Sequence, residues 1–400
     1  MQNMLTVDEA ATWLLSRADA VTETETVSLL EACGRVLAVP VVATLDVPPH
    51  DNSAMDGYAL RVADFGQPLP VSQRIPAGHV PDPLQPGGVA RIFTGAPIPA
   101  GADAVVMQEQ CEVLEDGRVS IQKAPVAGQN IRRAGEDIAN GQTVLAAGQR
   151  LSTADIGLLA SIGIAAVEVV RPLRVAVFFT GDELVEPGQP LGPGQIYNSN
   201  RYWLVPALMQ LGCEVSDLGI IPDELQATRE ALLDAADFAD VIMTCGGVSV
   251  GEEDHVKAAV EAEGVLDLWK IAIKPGKPLA CGKVGCADFI GLPGNPVSGF
   301  VTFAVLVKAF LQKRAGVADA ADVTTVRYPA AFDWARPDVK RVEFLRVRRV
   351  VRDGATVVER YPNQGSGVLT SCAWADGLVR LAPGRAVAAG DQLDFIALEF

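Results

Sequence analysis

The chain has 400 residues, of which 49% are hydrophobic and 20% are charged. One hydrophobic core rarely serves so long a chain, and we expect about two to four domains. The 33 basic and 49 acidic residues give a formal net charge of -16, which repels a phosphate backbone and argues against nucleic-acid binding.

The sequence predicts neither a membrane segment nor a secretory signal. The longest apolar runs, residues 156–170 and 299–311, contain Glu168 and Lys308 and are shorter than the roughly 18 residues of a membrane span. The seven cysteines include no Cys-x-x-Cys pair and the three histidines are scattered, which argues against a disulfide framework and against zinc or multi-histidine sites. We therefore expect a cytoplasmic protein without a membrane partner, in which oxygen ligands bind any metal.

The first 170 residues predict a mostly helical region that is interrupted by β structure. Thr6 is a candidate N-cap, Gly34 ends a second helical stretch, and Ser152 starts helix-like patterning that continues to residue 170. Between these stretches, short apolar runs are separated by proline and glycine, as in β-rich modules. We predict a helical linker domain of residues 1–43 and 138–170, with residues 44–137 inserted as a β module.

Residues 171–318 predict an α/β domain. Strands are expected at residues 173–179, 214–221, 241–244, 268–273 and 288–292, and helices at residues 202–211, 224–236, 254–263 and 297–313. This alternation is typical of an open, mostly parallel sheet with helices on both faces, whose ligands bind at the carboxyl ends of the strands. Residues 319–400 have short β-branched runs and glycine turns, which predict a small, barrel-like β domain. The fold class is therefore multidomain α/β and β.

Three loops that follow predicted strands are candidates for an anion site. Residues 244–251 (TCGGVSVG) lead into a helix, so their amides could bind a phosphate or could form only a tight turn. Residues 291–298 (GLPGNPVS) are stiffened by Pro293 and Pro296, which suits a preorganised pocket or simply the start of a helix. Residues 270–278 hold three of the nine lysines, either for a phosphate or oxyanion or as solvated surface groups.

Carboxylates follow the same strands. Asp182 and Glu183 come after the first strand, Asp223 follows another, and Asp254 ends the first glycine loop. Carboxylates beside lysines and phosphate-binding amides could hold Mg²⁺ on a phosphoanhydride, because Mg²⁺ takes few protein ligands and keeps several waters. Helix capping is the alternative role for each of them.

The β module contains three polar loops, at residues 48–58, 93–99 and 131–137. The residues alone leave open whether these loops serve an active site or only connect strands.

Seven segments together carry a family resemblance. They are residues 51–58 (DNSAMDGY), 93–97 (FTGAP), 132–137 (RRAGED), 180–184 (TGDEL), 246–251 (GGVSVG), 274–278 (KPGKP) and 291–296 (GLPGNP). In this order they resemble the MoeA-type molybdopterin molybdenumtransferases, which are related to the gephyrin E domain, and the tail segment 363–367 (NQGSG) also resembles the pattern of this family. The resemblance covers the chain from about residue 5 to its end.

The resemblance implies an enzyme of molybdenum cofactor synthesis. Such an enzyme takes adenylated molybdopterin and molybdate, uses Mg²⁺, cleaves the phosphoanhydride and releases AMP with molybdenum on the dithiolene. It implies a molybdopterin-binding fold for the α/β domain and an elongated homodimer, with the site between the α/β domain of one subunit and the β module of the other. A molybdopterin adenylyltransferase and acceptor molybdoenzymes are the protein partners it implies.

The resemblance also assigns residues. The implied catalytic group is Asp182, Glu183, Asp223, Asp254, Asp56, Asp137 and Thr94, of which Asp182, Glu183 and Asp254 support Mg²⁺. The implied substrate-binding group is Gly246, Gly247, Ser249, Lys270, Lys274, Lys277, Pro293, Pro296, Ser298, Arg132 and Ser366. For molybdate the resemblance points to Lys274, Lys277 and Ser298, with Arg341 or Arg346 and Ser366 from the tail.

The mechanism that follows relies on positioning and electrostatics rather than on a covalent nucleophile. Cys245 adjoins the glycine loop, but no basic neighbour in sequence lowers its pKa, so we expect a buried structural thiol. Two alternatives remain. One is a molybdopterin adenylyltransferase, against which the extra β domains argue; the other is a non-catalytic pterin-binding scaffold or carrier, against which the retained acidic and lysine positions argue.

Overall fold

The computed structural model describes residues 4–247, 255–321 and 325–399. Its α-helices in these residues are α1 (Val7–Ser16), α2 (Leu29–Ala32), α3 (Thr153–Ser161), α4 (Ser199–Gln210), α5 (Leu225–Ala236), α6 (His255–Glu263), α7 (Pro296–Thr302), α8 (Lys308–Arg314) and α9 (Thr370–Trp374). Two 3-10 turns lie at Val62–Asp64 and Gln108–Gln110, and a π-helical segment, Phe303–Val307, joins α7 to α8.

The strands of the described residues follow in chain order. They are β1 (Thr24–Ser28), β2 (Val36–Leu37), β3 (Val41–Val42), β4 (Asn52–Ser53), β5 (Gly57–Leu60), β6 (Val71–Ile75), β7 (Val89–Ile92), β8 (Ala104–Met107), β9 (Cys111–Val113), β10 (Val119–Ile121), β11 (Ile131–Arg132), β12 (Thr143–Leu145), β13 (Ala166–Val170), β14 (Arg174–Thr180), β15 (Leu184–Val185), β16 (Ile196–Tyr197), β17 (Glu214–Ile221), β18 (Val241–Cys245), β19 (Gly264–Lys270), β20 (Ile273–Lys274), β21 (Pro278–Val284), β22 (Ala287–Leu292), β23 (Thr325–Pro329), β24 (Val342–Arg352), β25 (Ala355–Arg360), β26 (Gly377–Leu381) and β27 (Gln392–Ala397).

The chain divides into two compact units. The first, here called the α/β unit, contains residues up to Glu25, Gly34–Ala38 and everything from Glu168 onward; the second, the β-module unit, contains Thr26–Cys33 and Val39–Val167. The boundaries at residues 43, 137, 170 and 318 remain a prediction.

A six-stranded sheet in the order β17-β14-β18-β22-β21-β19 forms the centre of the α/β unit. Strands β17, β14, β18 and β22 are parallel, β21 is antiparallel to both of its neighbours, and β19 therefore runs with β22. The sequence reading missed β21, because the tight turn at Gly285, where φ is 57°, was not recognised as a hairpin. The resulting sheet is mixed, but five of its six strands end at one edge.

The two faces of this sheet are covered by different helices. Alternate residues such as Val177 and Phe179 of β14 pack against α1, α4, α7 and α8, whereas Ala176 and Phe178 pack against α5 and α6. Successive side chains of a strand point to opposite faces of the sheet, and here both faces are buried. For this reason β14, β18 and β22 are continuous apolar runs.

The stretch Pro296–Arg314 is the one helix in the described residues with the length and apolar composition of a membrane crossing. More than half of it is buried, and Val301, Phe303 and Leu311 belong to the main hydrophobic core. Such burial is typical of a core helix.

The tail forms a second six-stranded sheet. One edge strand of this sheet, β20, comes from the lysine-rich loop rather than from the tail. The order is β20-β24-β26-β27-β23, with β25 paired to the outer part of β24. The hairpin turn expected at Asp353 and Gly354 is present, with φ of 50° and 77°. Because β20 pairs in parallel with β24, the lysine-rich loop lies against the tail sheet.

The N-terminal region differs in part from its prediction. Helix α1 begins with the expected capping box, in which Thr6 accepts from the backbone N–H of Glu9 and Glu9 accepts from that of Thr6. Helix α3 ends at Ser161, however, and residues 166–170 form β13. The helical reading of this last stretch was wrong, because its valines alternate in burial as in a strand.

Candidate functional site

Two loops meet at the carboxyl edge of the central sheet. The backbone N–H of Gly246 donates to the carbonyl of Leu292 at 3.0 Å, and a Cβ on Gly294 would lie 3.4 Å from the Cα of Gly246. Gly247 has φ of 62°, and a Cβ there would come within 2.5 Å of Val256. The paired glycines are therefore required by backbone geometry as well as by close packing. Ser249 and Asp254 lie outside the described residues.

The second loop leads into α7 as expected. Pro296 occupies the first turn of the helix, and Ser298 in the same turn is 3% exposed. The backbone N–H of Val297 donates to the carbonyl of Ser366 at 3.1 Å, so the tail segment touches the start of this helix.

A cleft of about 520 Å³ opens at this junction. It is lined by seven residues that the sequence analysis named, which are Glu183, Gly246, Gly247, Lys277, Pro293, Ser298 and Ser366. The carboxyl ends of the strands thus converge on one cleft, as an open α/β sheet predicts. Its volume is within the range of about 300 to 1,000 Å³ that small-molecule sites occupy.

The lysine-rich loop borders the cleft through Lys277, but another of its lysines, Lys274, forms an ion pair with the tail. The Lys274 ammonium lies 2.7 Å from Glu343 Oε1. Glu343 is buried, and its other oxygen accepts from the indole N–H of Trp334 at 3.0 Å and from the backbone N–H of Asp338 at 2.8 Å. The side chain of Lys274 is still 39% exposed, so it keeps access to a ligand. Lys270 is exposed at the end of β19.

The structure distinguishes the two tail arginines. Arg341 makes two hydrogen bonds to the same oxygen of Asp338, at 2.9 and 2.7 Å. Arg346 is 1% exposed and donates to Ser371 Oγ and to the carbonyls of Phe344 and Gly365. No carboxylate among the described residues forms an ion pair with it.

Arg346 is the buried cation of a second cavity. This cavity measures about 300 Å³ and is also lined by Lys274, Glu343, Gln364 and Gly365. Burial lowers the pKa of Arg346 to about 10, so its guanidinium stays charged at neutral pH. Arg346 therefore shares this cavity with Lys274 of the lysine loop, whereas Arg341 does not line it.

Carboxylates line the same sheet edge. Asp182 and Glu183 follow β14 and are exposed, and neither makes an ion pair with a described residue. Asp223 is half-buried and accepts from the Thr180 hydroxyl at 3.0 Å. In the described part of the chain no three side chains form a preformed metal cluster.

The three polar loops of the β-module unit lie together within that unit. The backbone N–H and the hydroxyl of Thr94 donate to Asp56 at 2.8 and 2.7 Å, and these bonds, the backbone one first, lower the pKa of Asp56. The backbone N–H of Ser53 donates to Ala96, joining the first loop to the second.

The third loop contacts the first loop and the residue that precedes it. Asp51 accepts from the backbone N–H of Ala134 and forms an ion pair with Arg133. Arg132 of β11 pairs with Asn52 of β4, and the backbone N–H of Asp137 donates to Val47. Three segments that are far apart in sequence therefore form one polar surface.

Sequence reasoning missed three residues that support these loops. Asn200 donates to the carbonyl of Gly294, and Glu343 holds Lys274. In the β-module unit, Arg91 lies 4.6 Å from the centre of the Phe93 ring and donates to the carbonyl of Gly57. The contact between Arg91 and Phe93 could be inferred from their spacing of two residues, which places them on the same face of a strand. The contacts of Asn200 with Gly294 and of Glu343 with Lys274 join residues that are far apart in sequence, so no local pattern predicts them.

Comparison with known protein families covers nearly the whole chain. Residues 5–163 match the MoeA N-terminal region (domain I and II), residues 176–313 match a probable molybdopterin binding domain, and residues 327–398 match the MoeA C-terminal region (domain IV). These three matches follow one another in chain order.

Curated relatives match over most of their length. The molybdopterin molybdenumtransferase of Haemophilus influenzae is 46% identical over 316 residues, which are 78% of each chain. The protein of the same name from Staphylococcus aureus is 35% identical over 388 residues, 94% of this chain and 91% of the relative.

A solved structure shares the full architecture. The molybdopterin biosynthesis moeA protein of Pyrococcus horikoshii is 29% identical, with a TM-score of 0.83 over 99% of this chain and 100% of the other. Because the motifs, the family matches and the curated relatives agree along the whole sequence, the chain belongs to the MoeA family of molybdopterin molybdenumtransferases.

Proposed function

We propose that this protein inserts molybdate into adenylated molybdopterin and cleaves the phosphoanhydride, releasing AMP and molybdenum cofactor. The observation that carries the proposal is the cleft at the carboxyl edge of the sheet, where the glycine loops, the lysine loop and Ser366 of the tail converge. A phosphoanhydride needs backbone amides and cations in one place, and this cleft supplies both.

Molybdate is proposed to bind on the lysine side of the site. Lys277 lines the cleft beside the buried Ser298, and Lys274 and Arg346 line the adjoining cavity. A tetrahedral dianion is stabilised by cations and by hydroxyl donors. The local excess of cations supports this assignment, since the chain as a whole carries a charge of -16.

Mg²⁺ is proposed to bind on the opposite side, through Asp182 and Glu183. Their exposed carboxylates are oxygen ligands at the edge where the phosphates would lie, and no described cation neutralises them. This donor set fits Mg²⁺, which is commonly held by one or two carboxylates together with substrate phosphates. When bound, the ion would neutralise charge that develops on the anhydride. Asp254 is proposed as a further ligand from the sequence alone.

The chain's own residues act by binding and orientation. Water attacks one phosphorus of the anhydride and the bridging P–O bond breaks, so that AMP and the pterin monophosphate separate, one with the water oxygen and the other with the bridging oxygen, while the protons of the water pass to the phosphates and solvent. If an oxyanion attacks instead, the mixed anhydride that it forms is hydrolysed in a second step. The lysines and loop amides stabilise the developing charge. Covalent catalysis by Cys245 is disfavoured, because the thiol is buried and burial raises its pKa.

The remaining proposals concern the assembly. The loop surface around Asp56, Thr94, Arg132 and Asp137 is proposed to contact substrate. The protein is proposed to act as a cytoplasmic homodimer that receives substrate from a molybdopterin adenylyltransferase and delivers product to acceptor molybdoenzymes. The absence of a disulfide among the seven cysteines, all of which are described, supports a reducing compartment.

The test is AMP formation from adenylated molybdopterin and Mg²⁺ over a range of molybdate concentrations. In Lys277→Ala we expect the molybdate KM to rise about tenfold or more, because a charge-assisted hydrogen bond is lost. Lys283→Ala is the matched control, since Lys283 lies on β21 and pairs with Asp288. Equal molybdate KM values for the two variants would show that Lys277 does not bind molybdate. ATP production that requires added pyrophosphate would instead identify an adenylyltransferase, and substrate binding without AMP would identify a carrier.

A further inference from the structure

Asn200 joins the first turn of α4 to the carbonyl of Gly294. Its Nδ2 donates to this carbonyl at 2.8 Å, and its Oδ1 accepts from the indole N–H of Trp203 at 3.0 Å. An indole nitrogen only donates and a carbonyl only accepts, so the two partners fix the orientation of the amide. The amide therefore has one arrangement that satisfies both neighbours.

The indole that orients this amide is itself fixed by the core. The ring of Trp203 packs edge to face against Phe300 and Phe303, with centroids 5.4 and 5.7 Å away. A Cβ on Gly299 would lie 3.3 Å from the same ring. The position of Asn200 is thus set by buried aromatic packing rather than by solvent.

The carbonyl that Asn200 holds lies where the two glycine loops meet. A Cβ on Gly294 would lie 3.4 Å from the Cα of Gly246, and both residues line the cleft. A shift of Gly294 would change the spacing of the two loops that form one wall of the site. Small displacements of preorganised groups reduce binding and catalysis strongly.

We propose that Asn200 is a positioning residue for the pterin-phosphate side of the cleft, which it stabilises by fixing Gly294 against Gly246. This inference rests on the proposed function, and it adds a residue outside the motifs that carry the family resemblance. The lysine loop lies against α7 where Gly276 approaches Ser298 and Thr302, neither of which takes part in this hydrogen bond. Loss of Asn200 should therefore affect the two substrates differently.

The experiment compares Asn200→Asp with the wild-type chain. Aspartate keeps the shape and can accept from Trp203, but it has no donor for Gly294 and its charge repels that carbonyl. We expect the KM for adenylated molybdopterin to rise about five- to tenfold, while the KM for molybdate changes by less than about twofold. We also expect faster amide hydrogen exchange in residues 293–299, with the melting temperature within about 3 °C of wild type.

Two further variants keep the test decisive. Gln226→Glu adds the same charge on α5, where the glutamine donates to Glu230, and should leave both KM values unchanged. Trp203→Phe removes the indole N–H and retains an aromatic ring. It should also raise the KM for adenylated molybdopterin, by a smaller factor than Asn200→Asp does. If Asn200→Asp does not fold, this second variant carries the test.

Equal effects on both substrates, or unchanged exchange in residues 293–299, would overturn the positioning role. A wild-type chain that releases no AMP would instead refute the proposed function. The wild-type assay thus separates the failure of one proposal from the failure of the other.

Discussion

Lys274 and Glu343 form an ion pair of 2.7 Å between Nζ and Oε1, in which the carboxylate side chain is 3% exposed and the lysine side chain 39% exposed. The pair joins the lysine loop to the tail sheet, next to the backbone pairing of β20 with β24. Because two other donors fix the carboxylate, Glu343 anchors the lysine and not the reverse. The tail domain thus contributes to the candidate site by holding a cation of the α/β domain.

Glu343→Ala should destabilise the protein. The substitution leaves the N–H groups of Trp334 and Asp338 without their acceptor, which costs about 1 to 3 kcal/mol. We expect a lower urea midpoint of unfolding than that of the wild type. Asp394→Ala is the control, because it breaks an exposed pair with Arg327 that is worth about 1 kcal/mol or less. A Glu343→Ala midpoint no lower than that of Asp394→Ala would contradict the anchoring role.

Gly247→Ala should reduce both stability and AMP release. The new Cβ would lie within 2.5 Å of Val256, and the positive φ adds strain of about 1 to 2 kcal/mol for a residue with a side chain. Gly157→Ala provides the opposite control: it lies in α3 with nothing within 4 Å of an added Cβ, and should stabilise by about 0.5 to 1 kcal/mol. Thermal melting of both variants tests the pair, and a stable, active Gly247→Ala protein would refute the described loop geometry.

Thr94→Val should raise the pKa of Asp56 without restoring its ordinary value. The variant removes the hydroxyl bond but keeps the backbone N–H bond, which is the larger cause of the lowered pKa. At pH values below about 3.8 the variant's carboxylate should therefore take up a proton before the wild type does. A carboxyl-carbon NMR titration measures this order, and coincident titrations would show that the hydroxyl does not bind the carboxylate.

The thiols should react in two groups. Cys33 and Cys286 are exposed, whereas Cys245 and Cys281 are buried and burial raises their pKa. At neutral pH we expect a thiol-specific reagent to label the exposed pair first, because the thiolate is the reactive form. The double variant Cys33→Ser and Cys286→Ser should lose this fast phase. Rapid labelling of Cys245 in the native protein would contradict its structural role.

Much of the α/β unit was predictable because its strands are buried on both faces. Predicted strand 214–221 coincides with β17, and predicted helix 224–236 differs from α5 by one residue. Long apolar runs and clear periodicity make such elements visible in sequence. The helix predicted for 297–313 is also present, although its middle turn is π-helical.

The failures have physical causes as well. Strand β21 escapes prediction because its turn to β22, at Gly285 and Cys286, lacks the usual Asn-Gly or Asp-Gly hairpin signature, and because its first residue, Pro278, belongs to the lysine motif. Residues 166–170 continue an apolar stretch after a helix, where length alone did not separate strand from helix.

The site was predictable as a set of loops but not as a set of contacts. Glycine and proline patterns identified the segments around Gly246 and Pro293, which line one cleft. The resemblance to MoeA-type enzymes is confirmed by the family comparisons. The ion pair between Lys274 and Glu343 joins residues that are 69 positions apart in sequence, and no local sequence pattern predicts it. The roles of the individual site residues remain predictions.

The central claim is that this chain couples molybdate to cleavage of the phosphoanhydride. The most direct measurement is a single-turnover reaction of the purified protein with adenylated molybdopterin, Mg²⁺ and molybdate, in which AMP and active molybdenum cofactor are quantified together. We expect AMP and cofactor in equal amounts, with AMP release strongly reduced when molybdate is omitted. AMP release at the same rate without molybdate, or no AMP at all, would contradict it.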